Sequence, residues 1–172
     1  MITLADVKAA LCRIRESIYL SPCARSETFS RLTGNSVYLK LDNLQRTGAF
    51  KERGALNKLL TLSEKERARG VIAASAGNHA QGVAYHAGRH GVRAQICMPL
   101  TTPLTKVSAT RGYGADVVLH GANYDEAYED AVKRSQQDHL TLIHAFDDDA
   151  VIAGQGTLGL EILQQHGEIE AI

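Results

Sequence analysis

The chain has 172 residues, its 19 Lys and Arg balance 19 Asp and Glu, and 44% of it is hydrophobic. This length can bury a core without disulfide or metal support, and the composition lies far from that of disordered or collagen-like chains. A net charge of zero gives no electrostatic footprint for nucleic acid or an anionic bilayer, and so favours a protein that handles small ligands.

In chain order, Val7, Leu11, Ile14 and Ile18 follow helical spacing, with Thr3 and Asp6 placed as an N-cap and its acidic partner. Pro22 closes that helix. A second helical stretch runs from Ser26 to Leu32, Gly34-Asn35 makes a turn, and Val37, Leu39 and Leu41 alternate with polar residues as a strand does. After a helix carrying Leu56, Leu59 and Leu60, apolar runs begin near Val71, Val92, Asp116 and Leu140, at steps of 21, 24 and 24 residues. Helices are predicted between and after them, at Ala80 to Arg89, Pro103 to Arg111, Tyr124 to Gln137 and Thr157 to Gln165. Links of this length suit parallel crossovers rather than hairpins, so the expected architecture is α/β, a parallel twisted sheet flanked by helices. The segments share no repeated signature beyond apolar strand and polar helix face, which argues against a solenoid.

Cys12, Cys23 and Cys97 are odd in number and lack a CxxC pair, which fits neither a disulfide framework nor a four-cysteine zinc site and suggests a reducing, cytoplasmic setting. The first residues lack the basic start and apolar core of a secretory signal, and no stretch approaches the ~18 uncharged apolar residues of a membrane helix.

In wound parallel sheets, ligands sit beyond the carboxyl ends of the strands, so the strand-to-helix turns are the places to search. SAGNHAQG, Ser75 to Gly82, opens a helix directly after VIAA. Its small and turn-prone residues let main-chain N–H groups approach an anion at the positive end of a helix. Asn78, His79 and Gln81 are polar where packing asks for none. TGAFKERGA, Thr47 to Ala55, places Lys51 at another helix start beside Phe50, between Gly48 and Gly54. The flanking Glu52 and Arg53 suggest a solvated face, whereas the aromatic neighbour and the helix start suit an amine that attacks a carbonyl. Asp147-Asp148-Asp149 is expected to be a solvated loop, because three consecutive acids do not converge on one ion. The histidines have no ligand spacing, so no metal is expected, and Cys97 reads as a buried strand residue.

Four blocks carry a resemblance: KLDNLQRTGAFKERGA (Lys40 to Ala55), AASAGNHAQG (Ala73 to Gly82), KVSATRGYGADVVLHG (Lys106 to Gly121) and DDDAVIAGQGTLGLEI (Asp147 to Ile162). Together they resemble the threonine/serine dehydratase family, pyridoxal-phosphate enzymes of the β-elimination type. The resemblance implies the small domain of a tryptophan-synthase-β-like fold with part of a larger domain. It implies Lys51 as the Schiff-base lysine, Phe50 against the pyridine ring, and Asn78 on the ring's 3-oxygen. Ser75, Ala76, Gly77, Asn78 and His79 fall on the loop that takes the substrate carboxylate, through backbone and side-chain donors. The implied reaction converts L-threonine or L-serine to 2-oxobutanoate or pyruvate and ammonia, in a cytoplasmic homo-oligomer. A serine racemase-like enzyme, or a non-catalytic binding fragment, is the alternative. Ala76 weighs against the first of these, since the racemases of this family carry a serine there as proton donor. Ala49 and Glu52 depart from the family pattern, and Glu52 is expected near the Lys51 amine, holding it charged.

The family's tetraglycine phosphate loop has no counterpart here; Gly154, Gly156 and Gly159 belong to the preceding segment. The resemblance therefore implies a chain truncated before that loop. It divides the chain into residues 1–48 of the larger domain, 49–150 as the small domain, and 151–172 as the truncated return to the larger one. Residues 49–150 are expected to fold alone, leaving the flanking segments without partners and with apolar faces exposed.

Overall fold

A capping box starts helix α1 (Leu4–Ile14): the Thr3 hydroxyl accepts from the Asp6 N–H, and the Asp6 carboxylate accepts from the Thr3 N–H at 2.7 Å. The computed structural model describes residues 1–172. Beyond α1, strand β1 (Cys23–Arg25) pairs antiparallel with β2 (Tyr38–Lys40). Helix α2 (Glu27–Thr33) links them, capped by Ser26 and closed by Gly34 at a left-handed φ of 73°. The sequence pattern predicts α2 and β2 but not β1, whose three residues are too few to show alternation.

Helices α3 (Lys51–Thr61) and α4 (Glu64–Arg69) lead into a four-stranded parallel sheet. Its strands are β3 (Val71–Ala74), β4 (Ala94–Met98), β5 (Asp116–Leu119) and β6 (Thr141–Leu142), in the order β5-β4-β3-β6. Helices α5 (Asn78–Arg89), α6 (Leu104–Gly112) and α7 (Tyr124–Gln137) make the crossovers. Alternation divides the core. Val71, Ala73, Ala94, Ile96 and Met98 face α3, α5 and α6 with Leu59, Val83, Ala87 and Val107, whereas Ile72, Ala74 and Cys97 face Ala131 of α7. The parallel sheet, its four strands and the Tyr124–Gln137 helix follow the sequence reading. The placement of β6 does not follow from spacing: it lies on the side of β3 away from β4.

Helix α8 (Asp149–Gln165) starts eight residues before the predicted Thr157, across the glycines of AGQGTLG. Close packing explains Gly154. A Cβ on Gly154 would lie 2.7 Å from the Arg53 carbonyl oxygen, and one on Gly54 would lie 2.7 Å from the Val151 carbonyl oxygen. The two helices touch backbone to backbone, which only glycine permits. The acidic triplet is also not a solvated loop throughout: Asp148 caps α8, accepting from the Ala150 and Val151 N–H groups at 2.9 and 3.1 Å, and pairs with Lys58 at 2.6 Å.

The flanking segments find partners in each other and in α3. Helix α1 packs on α8 and α3, with Ile14 and Ile18 against Leu56, so the expectation that both segments lack partners is corrected. Their outer surface does expose Leu4, Leu20, Phe29, Leu32 and Leu163.

A buried ionic network fastens these segments to α3. Arg53, which is 0% exposed, donates to Asp42 at 2.7 and 3.0 Å and to Glu161 at 2.7 and 2.8 Å. Lys40 adds a 2.8 Å pair to Glu161, while Ser21 and Gln45 donate to Asp42. Arg53 and Glu52 are thus interior residues, contrary to the solvated face read from their charge. No helix is long and apolar enough to cross a membrane.

Candidate active site

Strand β3 stops at Ala74, and Ser75 turns the chain: its hydroxyl accepts from the Gly77 N–H at 3.1 Å. Gly77 then enters α5 with no side-chain cap. The N–H groups of Asn78, His79 and Ala80 consequently have no acceptor in the protein, as the first turn of an uncapped helix leaves them. A Cβ on Gly77 would meet nothing within 4 Å, so the turn itself is open at that residue. Ser75, Ala76 and Gly77 are half-buried, Asn78 is exposed, and His79 is buried.

Lys51 is the first residue of α3 and is half-buried. Its Nζ donates to the Ala145 carbonyl at 3.1 Å and lies 5.6 Å from the centre of the Phe50 ring. No carboxylate lies within ion-pair distance of it. The expectation that Glu52 would hold this amine is therefore corrected: the Glu52 carboxylate turns inward and accepts from the N–H and O–H of Thr47, both at 2.8 Å. Close helix packing accounts for the turn, since a Cβ on Gly82 of α5 would lie 3.0 Å from the Glu52 Cα.

His79 meets the same segment as Lys51. Its Nε2 donates to the Ile143 carbonyl at 3.1 Å, which leaves Nδ1 as a bare acceptor with no partner at 3% exposure. Burial, and then the nearby positive charges of Lys51 and His144, push the imidazole down to about 4 even though the Ile143 bond acts the other way. The His79 ring is thus a neutral acceptor, and what it can give an anion is its main-chain N–H.

Ile143 and Ala145 follow directly from β6, and Ser75 to Gly77 follow from β3, its neighbour in the sheet. From β3 the chain winds to β4 and β5 on one side and returns to β6 on the other. Lys51, Phe50, His79 and the Ser75–Asn78 turn thus gather where the winding changes direction, the place at which open α/β sheets bind ligands. Sequence reasoning misses the Ile143 and Ala145 carbonyls and Gly82. The first two were accessible in principle, because residues just past the LTLI run must lie at the carboxyl end of a parallel strand.

A lysine amine free of carboxylates, bonded just past β6, and the uncapped start of α5, just past β3, thus share the sheet's switch point, an arrangement suited to a carbonyl-bearing, anionic ligand. The family model described as "Pyridoxal-phosphate dependent enzyme" matches residues 14–172, and the chain belongs to that family. It is 49% identical over 172 residues to an L-threonine ammonia-lyase of Thermotoga maritima, an alignment covering all of this chain and 43% of that protein. Among solved structures, threonine deaminase isoform 2 of Solanum lycopersicum, in its processed form, superposes with a TM-score of 0.88 at 43% identity, covering 98% of this chain and 48% of that one. Serine racemase of Dictyostelium discoideum gives 0.90 at 37%, covering 99% and 55%. The chain thus spans about half the length of these relatives.

The residues present fit pyridoxal phosphate. Lys51 is held only by a neutral carbonyl, the turn before α5 is open at Gly77, and His79 Nδ1 is a buried acceptor left without a donor.

Proposed function

We propose that this chain carries the reacting lysine and the carboxylate loop of a pyridoxal-phosphate-dependent dehydratase that converts L-threonine, and L-serine, to a 2-oxo acid and ammonia. The Lys51 amine, free of carboxylates and bonded just past β6, next to the strand whose end leads into the unpaired N–H groups of α5, is the observation that carries this reading. Its threonine substrate comes from the similarity to L-threonine ammonia-lyase and threonine deaminase, and serine from the resemblance of its motifs to the threonine/serine dehydratase family.

Lys51 would hold the cofactor through its aldehyde, and its free amine would take the proton from the substrate Cα. When bound, the cofactor supplies an electron sink for the pair left at Cα. The N–H groups of Asn78, His79 and Ala80 receive the substrate carboxylate, and the positive end of α5 favours that charge. The Asn78 side chain would hold the ring at its 3-oxygen, and Phe50 would supply an apolar wall. Loss of the β-hydroxyl as water, then hydrolysis of the remaining enamine, gives 2-oxobutanoate and ammonia from threonine. Ala76 offers only a methyl group, so no side chain there returns a proton to the opposite face of Cα, and elimination is favoured over racemisation.

The test is titration of the chain with pyridoxal phosphate, monitoring visible absorbance and assaying 2-oxobutanoate and D-serine, with Lys51→Ala in parallel. Lysine-dependent absorbance is expected, and oxo-acid formation extends the reading from cofactor binding to turnover. Equal absorbance in Lys51→Ala refutes the reading, absorbance without product restricts it to binding, and D-serine as main product replaces dehydration with racemisation.

A further inference from the structure

Glu52 and His86 are an unexplained pair. Glu52 is 0% exposed and His86 1%, on α3 and α5 respectively. Each carries one buried atom without a partner, Glu52 Oε1 and His86 Nε2, and these two atoms face each other at 4.0 Å. That is longer than a hydrogen bond, and close enough for a small side-chain rotation or one bridging water to join them. The other carboxylate oxygen is fully used, by Thr47 N–H and O–H. Thr47 begins the turn that runs through Gly48, at a left-handed φ of 74°, to Phe50 and Lys51. Glu52 therefore bridges the interior of α5 to the turn that delivers Lys51.

A buried carboxylate persists only where donors surround it. Thr47 supplies two on one side, and His86 is the sole candidate on the other. Burial, followed by the charges of His90 and Arg89, drives the His86 imidazole down to about 3, so the ring is neutral and has one N–H to place. A bare lone pair on Nε2 opposite a carboxylate would be repelled, so the proton belongs there.

We propose that Glu52 is a positioning residue for Lys51: His86, in its Nε2–H tautomer, donates to Glu52 Oε1, and the carboxylate so fixed clamps Thr47 and sets where the Lys51 amine stands. The inference rests on Lys51 being the reacting amine of the proposed site. It also explains why a charged residue next to Lys51 is sequestered rather than solvated.

Two measurements test it. Long-range proton–nitrogen correlation spectra of the imidazoles of the wild-type chain are expected to show His86 protonated at Nε2; protonation at Nδ1 overturns the proposal without any variant. The second is the rate at which Lys51 reacts with acetic anhydride, read by mass spectrometry against Lys133 of the same molecule. Glu52→Leu is expected to change the Lys51 rate about tenfold, as loss of a hydrogen-bonded charge does, and to leave Lys133 unaltered. Glu52→Gln, which keeps an acceptor for Thr47, is expected to recover most of the wild-type rate. Unchanged Lys51 reactivity in Glu52→Leu overturns the proposal, and if that variant does not fold, Thr47→Val answers the same question by removing only the hydroxyl donor. A parallel arm with pyridoxal phosphate and borohydride separates the two readings: absence of cofactor labelling at Lys51 with Glu52-dependent acetylation fails the cofactor reading and leaves the positioning role standing.

Discussion

Replacing Arg53 by Met removes the centre of the buried ionic network while keeping much of the side chain's apolar volume. Four hydrogen bonds to two carboxylates disappear, those to Asp42 at 2.7 and 3.0 Å and to Glu161 at 2.7 and 2.8 Å. Breaking a buried pair by deleting one partner costs about 3–5 kcal/mol, because the remaining charge is left uncompensated. Ser21 and Gln45 stay with Asp42, and Lys40 stays with Glu161, which places the loss at the lower end, about 3 kcal/mol. With a urea slope of about 2 kcal/mol per molar, typical of a small domain, the unfolding midpoint falls by about 1.5 M. Equilibrium urea unfolding followed by circular dichroism at pH 7 measures this directly. The acid limb supplies a second reading. Burial raises the Asp42 carboxyl, but the Arg53 and Ser21 bonds outweigh it and hold the group below its ordinary value. Asp42 therefore contributes stability that is present above the ordinary carboxylate pKa and is lost as pH falls through the depressed folded value. Arg53→Met should lose that contribution, so the gap between variant and wild type narrows as the solution is acidified. A midpoint shift below about 0.3 M, against the expected cost of a broken buried pair, would refute the reasoning, since the network would then contribute nothing to folding.

Gly154→Ala should destabilise the chain by about 1–3 kcal/mol in the same urea assay, because its methyl would stand 2.7 Å from the Arg53 carbonyl oxygen and the Gly54 Cα and push α8 off α3. Asp148→Ala removes the cap of α8 and the partner of Lys58, for a loss of about 1–2 kcal/mol. His79, with a folded value near 4 against an ordinary 6.5, binds its proton more readily when unfolded; stability should fall as pH drops from 6.5 towards 4, and His79 should remain neutral by nitrogen NMR at pH 5.5.

The apolar runs at Val71 and Val92 disclose the central strands because β3 and β4 bury side chains on both faces and read as uninterrupted hydrophobic segments, whereas the runs at Asp116 and Leu140 yield the part-exposed strands β5 and β6. The Tyr124–Gln137 helix is legible to the residue, with Asn123 as its cap and an amphipathic face on α7 that buries Ala127 and Ala131. Helix α8 is harder. Gly154 serves contact with α3 and Gly156 contact with Val7 of α1, partners distant in sequence, and locally these glycines imitate a loop. Charge misleads for the same reason. Arg53 beside Glu52 resembles a solvated pair until Asp42 and Glu161, 11 and 108 residues away, close around it. At the site, local pattern suffices for Lys51 and the Ser75–His79 turn, since each combines a helix start with unusual polarity. Their backbone acceptors, Ala145 for Lys51 and Ile143 for His79, lie just past an apolar run that places them at a strand's carboxyl end, but which strand β6 pairs with is set by the sheet order, which no local pattern encodes.

The insertion of β6 beside β3 also sets a timetable. The bond that fixes the Lys51 amine spans 94 residues, and that of His79 spans 64. During synthesis both side chains emerge long before their acceptors exist, and the helices bearing them can form early from local contacts. Only when the last strand slots in next to β3 does either group acquire its final orientation. That arrangement is therefore withheld from every shorter nascent chain, so a ribosome stalled before Ala145 carries a lysine that is already made but not yet aimed.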